Sequence, residues 1–182
     1  FGYDEVDEGG RAWAIRTGFV QNGITVERCQ TLVNGFLAKY SDLYKKWKNI
    51  AEPVDAIYVI FMGYYLMPLA WYLARRRGIP VILDVLVSQY DTEVNDRKRV
   101  SSVSPYAWFL WVTDFMACTF ADAIVVDTDA HKNFFARQFN IAEQKIIVVP
   151  VGCRSDLFIP LPHTESSEEF VVEFHGGMSP LQ

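Results

Sequence analysis

A chain of 182 residues with 51% hydrophobic and 15% aromatic content has ample apolar material for one buried core and lies within the size of one domain. Its 17 lysines and arginines against 22 acidic residues give a net charge of -5, which excludes a strong positive field and, with it, nucleic acid as a partner. Cys29, Cys118 and Cys153 are odd in number and far apart, without the spacing of a zinc site or a redox pair, so a reducing, cytoplasmic setting is expected.

The chain opens on Phe1 without a basic segment and apolar core, so no signal peptide is expected, and its first recognisable feature is already a loop, from which upstream sequence is expected. In residues 10–23, Ala12, Ile15 and Phe19 recur at helical spacing, and Gly23 is placed to end the helix in a left-handed conformation. Short β-branched runs follow at residues 24–29, 56–60, 80–83, 123–126 and 146–149, each mostly apolar on both faces as a doubly covered strand requires. Residues 66–77 form a helix closed by Gly78 and Pro80. Arg75, Arg76 and Arg77 sit at the negative end of its macrodipole, which explains them without a ligand; anionic lipid headgroups are the minority alternative.

Residues 106–120 place Trp108, Phe109, Trp111, Val112, Phe115 and Met116 around much of one helix, which is expected to be among the most buried; its length and Asp114 argue against a membrane span. A helix over 130–139 follows, with Thr128 or Asp129 as its cap. The strand–helix alternation predicts an α/β fold, a Rossmann-like parallel sheet with helices on both faces. Pro160 and Pro162, two serines and a cluster of glutamates mark residues 161–169 as a linker between a domain at 1–160 and a final strand and glycine turn at 170–182.

In such a sheet ligands occupy the crevice beyond the carboxyl ends of the strands, which directs attention to three places. Gly9, Gly10 and Arg11 lead into the first helix, where backbone amides attract anions, although a plain turn explains the glycines equally well. After the strand at 80–83 comes a loop dense in donors and acceptors: Asp84, Ser88, Gln89, Tyr90, Asp91 and Thr92. Carboxylates and amides recognise sugar hydroxyls and a tyrosine face stacks on a ring, whereas the plain alternative is a solvated turn. Third, Asp127 and His131 stand at the head of the helix that follows 123–126, beyond what capping requires. His131, His163 and His175 lack metal-ligand spacing, so no metal is expected, and neither a serine elbow nor a phosphate loop is present.

Three stretches carry a resemblance. The run Arg11 to Val26 resembles the first helix and second strand of glycosyltransferase family 4, retaining enzymes with the two-domain GT-B fold, and Ala121 to Thr128 resembles the family's strand after the long helix. Within Lys145 to Pro160, Pro150, Gly152, Asp156, Phe158 and Pro160 are spaced like its crossing to the second domain. Residues 170–182 are similar to the first strand and phosphate-side loop of a donor domain, with Gly176 and Gly177 implied as donor-binding. Two departures stand out. Leu86 occupies the place where the family often has an acceptor-side histidine, and the donor loop lacks the usual arginine and lysine; both loops resemble one subgroup, with Asp84, Ser88, Tyr90, Asp91 and Thr92 in one and Pro180 and Leu181 in the other.

The resemblance implies transfer of a sugar from a nucleotide-diphosphate donor to a glycan or lipid-linked acceptor, without metal or other cofactor. The chain is then the acceptor-side half, silent without its C-terminal donor domain. Gly9, Gly10, Arg11, Asp84, Ser88, Tyr90, Thr92, Asp127 and His131 become acceptor-side contacts and Asp91 the candidate proton acceptor. The protein is expected in the cytoplasm, the inner membrane surface being the alternative. Two other readings stay open: a non-enzymatic flavodoxin-like module that binds a ligand or partner, which should end in a helix over its sheet, and a peripheral membrane protein that uses residues 106–120 as an interfacial helix.

Overall fold

The computed structural model describes residues 1–3, 10–152 and 159. Six parallel strands alternate with five α-helices in this Rossmann-like α/β fold. In chain order they are β1 (Gly2–Tyr3), α1 (Arg11–Gln21), β2 (Gln30–Thr31), α2 (Phe36–Lys48), β3 (Ile57–Val59), α3 (Met67–Arg77), β4 (Val81–Asp84), α4 (Pro105–Phe120), β5 (Ala123–Val126), α5 (Asp129–Gln138) and β6 (Ile146–Val148). β1 pairs with β2, and β3 to β6 pair in sequence order. Phe1 joins the two sets, since its ammonium donates to the Tyr58 carbonyl at 2.8 Å and its own carbonyl accepts from Ile60 N at 3.1 Å. The order is therefore β2-β1-β3-β4-β5-β6, and it reverses direction between β1 and β3.

The central strands are mostly apolar on both sides, with Val59, Val81, Leu83, Ile124 and Val126 entirely buried. Against them pack Leu43 and Trp47 of α2, Leu69, Ala70, Leu73 and Ala74 of α3, Ala117 and Cys118 of α4, and Phe135 and Phe139 in and after α5. Gly78 ends α3 at φ 69°, a left-handed conformation that costs glycine nothing, and Gly23 ends α1 the same way at φ 76°, with Ile24 N reaching back to Phe19 O at 2.9 Å. Thr128 caps α5 through its side-chain oxygen on His131 N, and Ser104 caps α4 on Ala107 N.

Three expectations are corrected. Residues 24–29 do not form a strand, because an extended segment becomes one only beside a partner, and here pairing begins where Gly2 N reaches Cys29 O at 3.1 Å. Alongside that segment lies a cavity of about 710 Å³ between it and β3; Ala12, Ile15 and Phe19 face it, so α1 has no fully buried residue. The helix α2 was not expected at all. Phe36, Tyr40, Leu43 and Trp47 recur at helical spacing, so its pattern was present in the sequence and overlooked, although only Leu43 and Trp47 are buried. Finally, α4 buries one side only: Ala107, Leu110, Asp114, Ala117 and Cys118 face inward, while Trp108, Phe109 and Met116 face outward. The linker and final strand expected at 161–182 lie outside the described residues.

Candidate functional site

The sheet brings four of the expected residues to one end. Arg11 is the first residue of α1, Asp84 the last of β4, and Asp127 directly follows β5, so all three stand at the carboxyl ends of parallel strands or at the helix start facing them. Arg11 Nε lies 2.9 Å and 3.0 Å from the two oxygens of Asp84, and Nη1 donates to the Val149 carbonyl at 3.1 Å, just past β6. One guanidinium thus ties α1, β4 and β6 together. Both side chains are almost sealed from solvent, at 7% and 1% exposure, so the pair is held in a low-dielectric setting.

Burial pushes the Asp84 carboxyl above its usual range, and the Arg11 charge and hydrogen bonds pull it back. The Tyr58 phenol approaches the same carboxylate without a well-formed hydrogen bond and is pushed up by burial first and by the Asp84 charge second. Arg11 Nη2 is likewise buried without a partner among the described residues. Beside the Asp84 carboxylate a guanidinium N–H and a phenol hydroxyl thus keep hydrogen-bonding capacity that no described residue uses. Beside them, His131 Nδ1 is hydrogen-bonded to Asp127 Oδ1 one helical turn back, which fixes the ring and leaves Nε2 as the outer nitrogen. Asp127 is near enough to Asp84 for its charge to raise that carboxyl further.

The loop after β4 is ordered, and Asp114 orders it. This carboxylate, fully buried in the middle of α4, accepts from Ser88 Oγ at 2.7 Å, from Tyr90 N at 3.0 Å and from Gln89 Nε2 at 3.3 Å. Ser88 Oγ accepts in turn from Asp91 N at 3.0 Å, and the buried Tyr64 hydroxyl donates to the Val87 carbonyl. Ser88 is therefore spent on building the loop, not on an acceptor; with 3% exposure it has no open face. A short π-helical turn, Asp91–Asp96, follows, and within it Asn95 Nδ2 donates to Asp91 Oδ1 at 2.8 Å. Tyr90, Asp91 and Thr92 remain partly open to solvent.

Gly10 provides the extended residue ahead of α1, and its carbonyl accepts from Ala14 N at 3.1 Å; Gly9, Gly176 and Gly177 lie outside the described residues. Among the described residues no three histidine, cysteine, aspartate or glutamate side chains converge as a metal site. Sequence reasoning missed Tyr58 and Asp114. The first sits inside an apolar strand with nothing to mark it, whereas the second, the one ionisable residue in a long apolar helix, was a visible signal of a buried polar anchor. No family model and no curated protein matches the chain.

Proposed function

We propose that the chain is the acceptor-binding half of a retaining glycosyltransferase that moves a sugar from a nucleotide-diphosphate donor to a glycan or lipid-linked acceptor, the donor being held by a second domain. One observation carries this reading: Arg11, Asp84 and the Asp127–His131 pair stand at the carboxyl ends of β4 and β5 and the helix start facing them, the end of a Rossmann-like sheet at which ligands bind. Around this crevice the loop ordered by Asp114 presents Tyr90, Asp91 and Thr92 as hydroxyl-binding groups. Resemblance in the ordered motifs at Arg11 to Val26, Ala121 to Thr128 and Pro150 to Pro160 supplies the reaction class.

In this reading the acceptor hydroxyl loses its proton as its oxygen bonds to the anomeric carbon and the nucleoside diphosphate departs with the electron pair. Asp91 serves as proton acceptor: one carboxylate oxygen is held by Asn95, and the other has no donor among the described residues. His131 Nε2 and Arg11 Nη2 orient the acceptor oxygens. Saturation-transfer NMR of the 182-residue chain with a panel of methyl glycosides tests the reading. Sugar-ring protons are expected to saturate, and both His131→Ala and Tyr90→Ala to weaken the signal. A panel in which no glycoside saturates, or in which neither variant matters, overturns it.

A further inference from the structure

α3 and α4 lie side by side as parallel neighbours, with Trp71 packed on Phe120 at 5.2 Å near their ends and Tyr65, just ahead of α3, stacked on Phe109 at 6.2 Å near the start of α4. The outward face of α4 is largely apolar, and α3 adds Tyr72 ahead of its closing arginines. On α4, Trp108, Phe109, Val112 and Met116 fall on the side opposite the buried Ala107, Asp114 and Cys118; Trp108 is 70% exposed. Tyr72 on α3 and Tyr106 on α4 extend the same surface, and Val103, ahead of α4, is 91% exposed. A helix of four turns that turns aromatic and aliphatic groups to water, with no charge among them, is not explained by its own fold.

The exposed charges carried by the two helices themselves have one sign. Neither helix carries an acidic side chain except Asp114, which is fully buried. Arg75, Arg76 and Arg77 close α3, and Arg97, Lys98 and Arg99 precede α4, so six of the chain's 17 cations flank the apolar surface of a protein whose net charge is -5. Their nearest acids, Asp122 on Arg75 and Glu93 between Arg97 and Arg99, neutralise part of the two triplets; Arg76 and Lys98 make no ion pair among the described residues. Tryptophan and tyrosine favour the boundary between hydrocarbon and headgroups, and lysine and arginine beside them favour anionic headgroups. Among the described residues no helix is long and apolar enough to cross a membrane, and a contact made by this face lies along the surface.

We infer that the α3–α4 face docks on an anionic bilayer, inserting Trp108, Phe109 and Val103 at headgroup depth with the two basic triplets against the lipid phosphates. The inference is independent of the sugar-transfer reading and stands or falls separately. Flotation of the 182-residue chain with vesicles of phosphatidylcholine, alone or mixed with phosphatidylglycerol, tests it. The chain floats with the mixed vesicles and far less with phosphatidylcholine alone. Trp108→Ser combined with Phe109→Ser lowers the floating fraction about tenfold, as loss of two inserted aromatic groups requires. Arg76→Glu with Lys98→Glu removes the preference for anionic lipid; because all four side chains are at the surface, circular dichroism of both variants should match the parent. The proposal is overturned by absence of flotation with mixed vesicles, or by flotation indifferent to the aromatic pair. It is equally overturned if the free chain sediments as a dimer that this pair dissolves, for then a second copy covers the face.

Discussion

Asp84 and Asp114 are both buried carboxylates at opposite sides of the same loop, and they are satisfied in different ways. Asp84 has a cation, Arg11, whereas Asp114 has only neutral donors from Ser88, Gln89 and Tyr90. Burial raises both above the ordinary carboxylate range, and for Asp114 no charge offsets it. An acid that binds its proton more tightly folded than unfolded contributes fully at low pH, and that contribution is lost as pH climbs from the usual value near ~4 through the raised one. Asp114→Asn keeps an oxygen for Ser88 and Tyr90 but removes the ionisation. Thermal melts from acid to neutral pH should show a shallower fall in stability for Asp114→Asn than for the parent; equal slopes would show that Asp114 does not titrate in this window. The value of Asp114 was only half legible in the sequence. Its place in an apolar helix showed that it must be buried, but its partners lie about 25 residues away across a loop whose path no local pattern dictates.

At the scale of elements, the strands of the four-stranded sheet were legible and the two-residue strands β1 and β2 were not, because two residues carry no periodic pattern. β4, β5 and β6 fall within a residue of the expected runs; β4 and β5 are paired on both sides, and β6 pairs with β5 among the described residues. Residues 24–29 carry the same pattern, yet Thr25, Val26 and Glu27 have no backbone partner among the described residues and border the cavity instead. Helix ends were legible where glycine marks them, and the glycines themselves separate two effects. Gly18 lies inside α1 with nothing within 4 Å of an added Cβ, so Gly18→Ala restricts only the unfolded chain and should add about 0.5 to 1 kcal/mol. Gly78 also has open space, but its φ of 69° strains any side chain, and Gly78→Ala should cost about 1 to 2 kcal/mol. Urea titration of the two variants measures both signs. Gains at both positions would mean that α3 does not end in the left-handed turn.

For the molecule as a whole, the question is how a protein of net charge -5 approaches an anionic surface. The answer lies in where its charge sits: the cations of residues 75–77 and 97–99 border the aromatic face, and the helices that form it expose no acid. Which helix would be exposed was not legible, since a helix apolar all round reads as buried whether a layer of protein or something else covers it. The arrangement separates two electrostatic terms by range. At ~0.01 M salt the Debye length is about 30 Å, so the bilayer feels the whole acidic protein and repels it; at ~0.1 M it is about 10 Å, and only the adjacent triplets are felt. Near ~1 M even these are screened, leaving the aromatic contribution alone. Vesicle binding should therefore rise from low salt to a maximum near ~0.1 M and then decline to a plateau that depends on Trp108 and Phe109. A steady fall from the lowest salt onward would show that the remote acids exert no repulsion, and a curve without salt dependence would leave the arginines and Lys98 no part in docking.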